Sequence, residues 1–166
     1  NEKAAAEQKA EENRREAKQF FERALALEKE GKLKDARVNA ENAIALDKTN
    51  KEYKQFFDDL KDKIKKLIEK TELYKKYLST ADDLLKKGEL EKALEEYEAA
   101  KFVFDNAEII AKIIDVKRLI KEHEKQKVKI YQLLNDVKEL IQQKDFKNAK
   151  SKINDILSID KTNAEA

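Results

Sequence analysis

The chain has no cysteine, proline, tryptophan or methionine, and Gly31 and Gly88 are its only glycines. Without cysteine there is no disulfide framework and no thiolate metal ligand, and the composition marks no compartment. Without proline, and with glycine at two places only, long stretches hold nothing that breaks a helix, so sheet is not expected. A chain lacking methionine even at position 1 is expected to have lost its natural start. No segment approaches the ~18 consecutive apolar residues of a membrane span, which predicts a soluble chain without membrane insertion. Neither charge dominates, because 37 basic and 35 acidic residues are finely interleaved. That mixture argues against a broad phosphate-binding surface.

What is present is the composition of long helices, with 43% charged and 40% hydrophobic residues. Charge is uneven in one place only. Residues 88 to 106 carry Glu89, Glu91, Glu95, Glu96, Glu98 and Asp105 against Lys92 and Lys101, which reads as a solvated helix face or as a landing place for a basic partner.

Sliding the chain against itself by 57 and then 56 positions aligns three repeats without a gap. Phe20, Tyr77 and Leu133 fall together, followed by Ala24/Ala81/Val137, Leu27/Leu84/Leu140 and Gly31/Gly88/Lys144. Leu33/Leu90/Phe146, Ala36/Ala93/Ala149, Ala40/Tyr97/Ile153, Ala43/Ala100/Ile156 and Leu46/Val103/Ile159 complete the register. Self-similarity at a fixed period is the mark of a repeat architecture. Each repeat reads as helix, tight turn, helix, with Gly31 as a left-handed cap in the first. Ala36, Ala93 and Ala149 stand where the second helix must approach the first closely.

This pattern resembles the tetratricopeptide repeat family. The first repeat matches the family motif as Phe20, Ala24, Gly31, Ala36, Ala43 and Leu46-Asp47-Lys48-Thr49-Asn50, and the likeness covers roughly residues 17 to 163. Two features depart from the family. Lys48, Asp105 and Lys161 replace its closing proline, and the period exceeds the family's 34 residues. The resemblance implies protein–protein interaction, with the inner face of each repeat's first helix lining a groove. The matching positions are Phe21 and Leu25, Leu78 and Leu85, then Tyr131, Leu134 and Ile141. The basic and asparagine side chains that clamp a peptide carboxylate in some members are absent, which implies an amphipathic helix or apolar strip as the partner. Ordinary core burial is the competing reading of the same residues, since several also lie in heptads.

The additional residues of the period extend a helix by about six turns. One heptad frame runs Tyr53, Phe57, Leu60, Ile64, Leu67, Thr71, Tyr74, Leu78, Ala81, Leu85, and a second runs Ile109, Ile113, Val116, Ile120, His123, Lys127, Ile130, Leu134, Val137, Ile141. They predict long helices over 51–87 and 107–143, each about 55 Å, alternating with short ones near 33–47, 90–105 and 146–159. A break at Thr71 or at His123 and Lys127 is the alternative. The expected fold is all-α: three helix-turn-helix repeats, near 17–50, 74–106 and 130–163, joined by long helices into an elongated array. Residues 1–16, apolar only at Ala4, Ala5, Ala6 and Ala10, read as a polar helical extension or linker before a single domain over 17–166.

No constellation for chemistry is found, and no catalytic, cofactor or metal residue is assigned. His123 is the only histidine; between Glu122 and Glu124 it reads as a helix-surface residue, with a pH-sensitive contact as the alternative. Asp58/Asp59 and Asp82/Asp83 are adjacent on helices and point about 100° apart. Asp47-Lys48-Thr49-Asn50 and Asp160-Lys161-Thr162-Asn163 lack the ligand spacing of a calcium loop and read as turns that cap a following helix. Lys61, Lys63, Lys65 and Lys66, with Lys121, Lys125, Lys127 and Lys129, are the densest basic groups, but interleaved Asp62, Glu69, Glu122 and Glu124 weaken a nucleic-acid reading. The expected function is a non-enzymatic protein-binding scaffold. A structural rod forming homo-oligomers through its long helices is the rival.

Overall fold

A computed structural model describes residues 2–165 of the chain. The described residues form six helices and no strand: α1 (Glu2–Lys29), α2 (Leu33–Leu46), α3 (Lys51–Lys86), α4 (Leu90–Val103), α5 (Ala107–Gln142) and α6 (Phe146–Ile159). Both long helices run unbroken through Thr71 and through His123 and Lys127, as expected where nothing interrupts the backbone hydrogen bonds. Residues 2–16 form the start of α1 and expose their side chains, apart from a half-buried Asn13.

Each hairpin turns at the same place. Gly31 and Gly88 take φ of +76° and +77°, and Lys144 takes φ of +60° in the third repeat. The amide after each donates back to the preceding helix: Lys32 to Leu27 at 2.9 Å, Glu89 to Leu84 at 3.0 Å and Asp145 to Leu140 at 2.9 Å. This pairing closes carbonyls that a helix end otherwise leaves open. The small residue beyond each turn, Ala36, Ala93 or Ala149, is buried.

The first two closing turns start the next helix, and the third repeats the internal bonds of the first. Asp47 accepts from the Thr49 amide and hydroxyl at 3.1 and 2.7 Å, and Asp160 does the same from Thr162 at 3.0 and 2.8 Å. Asn50 then accepts from the Glu52 amide at 3.0 Å, and Asn106 from the Ile109 amide at 3.0 Å, the standard satisfaction of open helix-start donors. The second closing turn, Phe104 to Asn106, is one residue shorter than Asp47 to Asn50, which is why the offset falls from 57 to 56.

The chain divides into two compact bodies, the first ending at Leu73 and the second starting at Tyr74. In the first body, α1, α2 and the start of α3 bury Ala17, Phe21, Ala43 and Tyr53 in one cluster and Ala24, Ala36, Ala40 and Leu60 in another. In the second, the end of α3 packs with α4 and the first half of α5 around Ala81, Ala93, Tyr97, Ala100, Ile109, Ile113 and Val116. The second half of α5 packs with α6 around Leu133, Val137 and Ile156. The heptad frame of α5 is therefore no continuous seam. All residues from 121 to 129 are exposed, and beyond them the core moves to Leu133, while Ile141 is 48% exposed. At 3.6 residues per turn, Ile141 stays within about 40° of the face that Ile109 presents, whereas Leu133 of the cluster shared with α6 lies about 120° from it.

Candidate functional site

The seven residues singled out from the sequence meet three different surroundings. In the first repeat Phe21 is covered: its ring centroid lies 4.5 Å from Tyr53 and 5.2 Å from Phe56, both on α3. Leu25 and Phe56 pack against the same cluster. In the second repeat Leu78 and Leu85 are partly buried against the cluster that holds Ile109, Ile113 and Val116 of α5.

A polar network closes that second contact. The buried Tyr97 hydroxyl donates to Asp82, and the Lys112 ammonium lies 2.9 Å from the same carboxylate and 5.4 Å from the Tyr97 ring centroid. Hydrogen bonding from Tyr97, followed by the hydrogen bond and charge of Lys112, holds the Asp82 carboxyl below its ordinary range. Burial, reinforced by Asp82, pushes the Tyr97 hydroxyl upward. The phenol thus keeps its proton and the carboxylate stays charged.

The third repeat differs. Tyr131 is 67% exposed, and with Leu134 it lines a groove of about 660 Å³. Ile130, Ile159, Lys138 and Asn163 are among its other lining residues, as are His123, Lys127, Asp160 and Glu165. Ile130, Leu134 and Ile159 also pack against the α5–α6 cluster, so the floor is fixed by core packing. Ile141 lies further along α5, outside the groove lining. The structure thus brings Tyr131 and Leu134 together and places Phe21, Leu25, Leu78 and Leu85 in contacts with a neighbouring helix. His123 is exposed.

Sequence reasoning passed over Lys138, and it read Ile130 only as a heptad position and Ile159 only as a repeat position. The repeat offset carried the signal, because Lys138 stands where Asp82 and Leu25 stand in the earlier repeats. The lining mixes apolar and charged side chains. Among the described residues, no group of three or more His, Asp or Glu side chains is placed to hold a metal ion, and no helix is long and apolar enough to cross a membrane. Comparison with protein-family models, curated proteins and solved structures finds no match to this chain.

Proposed function

We propose that the chain is a non-enzymatic scaffold of tetratricopeptide-like repeats that binds a protein partner through the open face of its third repeat. The helix pairs, the left-handed turns and the buried small residues Ala36, Ala93 and Ala149 support the repeat assignment. The observation that carries the binding role is the groove beside Tyr131 and Leu134, an apolar floor held by the core and rimmed with charge. A rod associating through its long helices is the weaker reading. Its seam would have to bury His123 and Lys127, the polar positions of the heptad frame and both exposed on α5, at a desolvation cost that apolar seams avoid.

The test is a quantitative pull-down from cell extract with the wild type and Tyr131→Asp. Tyr131 is exposed, so the variant should keep its helicity by circular dichroism. Loss of a captured protein is the expected result, and identical capture by both forms refutes the reading.

A further inference from the structure

Large apolar side chains are exposed at two interior places where the repeat does not call for them. The first lies within the first body, where the start of α2 meets the middle of α3. Two adjoining hollows there, of about 360 and 440 Å³, share Ile64 and Ile68, and the first of them also takes in Leu33 and Leu67. Leu67 and Ile68 are about half exposed. Their matching places one repeat on are His123 and Glu124, both polar, so the repeat itself needs no apolar surface here. Lys32, Lys34, Arg37, Lys61 and Lys65 line this groove. Asp35, Asp62 and Glu69 do so too, and the lining stays net basic. Lys32 pairs with Glu30, whereas Lys34, Arg37 and Lys65 enter no ion pair among the described residues.

The second place lies on α4. Glu91, Glu95, Glu98, Phe102 and Asp105 are spaced by four, three, four and three residues and form one exposed stripe of that helix. Phe102 is 96% exposed, and the other repeats put Ala45 and Ser158 at its position. Glu98 pairs with Lys117 of α5 at 2.9 Å, which fixes the antiparallel register of the two helices. Phe102, one turn further along α4, and a 61% exposed Ile114, one turn back along α5, therefore stand on the same face. Lys101 is beside Phe102, yet Glu91, Glu95 and Asp105 enter no ion pair among the described residues. Two surfaces of one chain thus carry opposite charge around uncovered apolar side chains, one as a groove and the other as a ridge.

From this complementarity we propose that the chain associates with itself through these two unlike surfaces. The α4 stripe of one copy seats Phe102 in the groove between α2 and α3 of a second copy and turns its carboxylates toward Lys34, Arg37 and Lys65. Phe102 then buries against Ile64, Leu67 and Ile68, which takes apolar surface of both copies out of water. Such a contact is heterologous, so each pair keeps one free groove and one free stripe at which a further copy can add. It uses no residue of the third repeat, and its failure leaves the scaffold function standing.

Light scattering of the intact protein between about 1 µM and about 1 mM tests this. The average mass should rise above the 19.3 kDa of one chain and fall back as salt is added, because opposite charges face each other across the contact. Phe102→Glu and Ile68→Glu, both at exposed positions, should keep their helicity by circular dichroism and stay at the mass of one chain. Mixing the two variants should restore a dimer and nothing larger, since one keeps the groove and the other keeps Phe102. Arg37→Glu should weaken association about ten-fold by reversing a charge of the groove. A mass that stays at one chain throughout overturns the proposal and leaves the groove to a different protein. Association untouched by Phe102→Glu also overturns it and moves the contact to another surface, the long helices included. Variants that stay apart when mixed show that each surface meets its own kind, which overturns the pairing as well. Where a variant loses helicity, Arg37→Glu and salt still decide, and association that both leave unchanged refutes the charge-matched contact.

Discussion

The three hairpin turns allow one backbone position to be tested with opposite expected signs. Gly31 and Gly88 have positive φ, and a Cβ built on either meets nothing within 4 Å. Alanine there creates no clash and fills no space, so its effect is purely conformational. Placing an L-residue in the left-handed region costs roughly 1–2 kcal/mol, while reducing the freedom of the unfolded chain returns about 0.4–1 kcal/mol. Gly31→Ala and Gly88→Ala should each destabilise by about 1 kcal/mol, the difference of those two terms. Lys144 already stands at the matching turn with φ of +60°. Lys144→Gly should therefore stabilise its hairpin by a similar amount, with the signs of both terms reversed. Urea denaturation followed by circular dichroism measures all three, and an unchanged dependence on denaturant would show that only stability moved. A stabilising Gly31→Ala, or a destabilising Lys144→Gly, would refute the assignment of these turns as strained for side chains.

Other expectations follow from the packing. Ala93→Leu inserts bulk at a fully buried helix contact and should cost about 1–3 kcal/mol by overpacking, seen as a lower melting temperature. Leu60→Ala empties a fully buried site in the first body and should cost about 2–5 kcal/mol; hydrogen exchange should quicken in α1 and α2 while α6 keeps its protection. The Asp82 carboxyl titrates lower in the folded chain than in the unfolded one, so its contribution is complete above the ordinary carboxylate range near pH 4 and is lost as pH falls through the depressed value. Asp82→Asn should flatten the acid limb of the stability–pH curve, and an unchanged limb would remove the network from the second repeat's stability.

Much of the fold is legible in the sequence because each level repeats. The offset alone aligns Gly31, Gly88 and Lys144, and the left-handed backbone at Lys144 follows from its place, not its residue type. Asp47-Lys48-Thr49-Asn50 reads correctly as a cap because the carboxylate and amide act within the turn itself. The heptads mislead in one respect. They mark Leu67 and Ile141 as seam positions, yet both are about half exposed, since apolar spacing shows which way a side chain points and not whether anything lies opposite. For the same reason Phe21 and Leu134 look alike in the repeat pattern. Tyr53 and Phe56 cover one of them, and only the assembled fold shows that the other faces a groove.

The bare stretch of α5 has a consequence for how such a chain can change length. Residues 121–129 separate two packing centres and bury nothing, so their number is constrained by rotation and not by contact. Inserting seven residues adds about 10.5 Å and turns the distal half by only about 20°, whereas inserting two swings it by about 160°. Lengthening by whole pairs of turns would carry the α6 hairpin outward as an intact block. Length changes out of phase would redirect the Tyr131 face. The stretch thus works as a ruler whose divisions are helical turns, able to reset the reach of one hairpin without a new core.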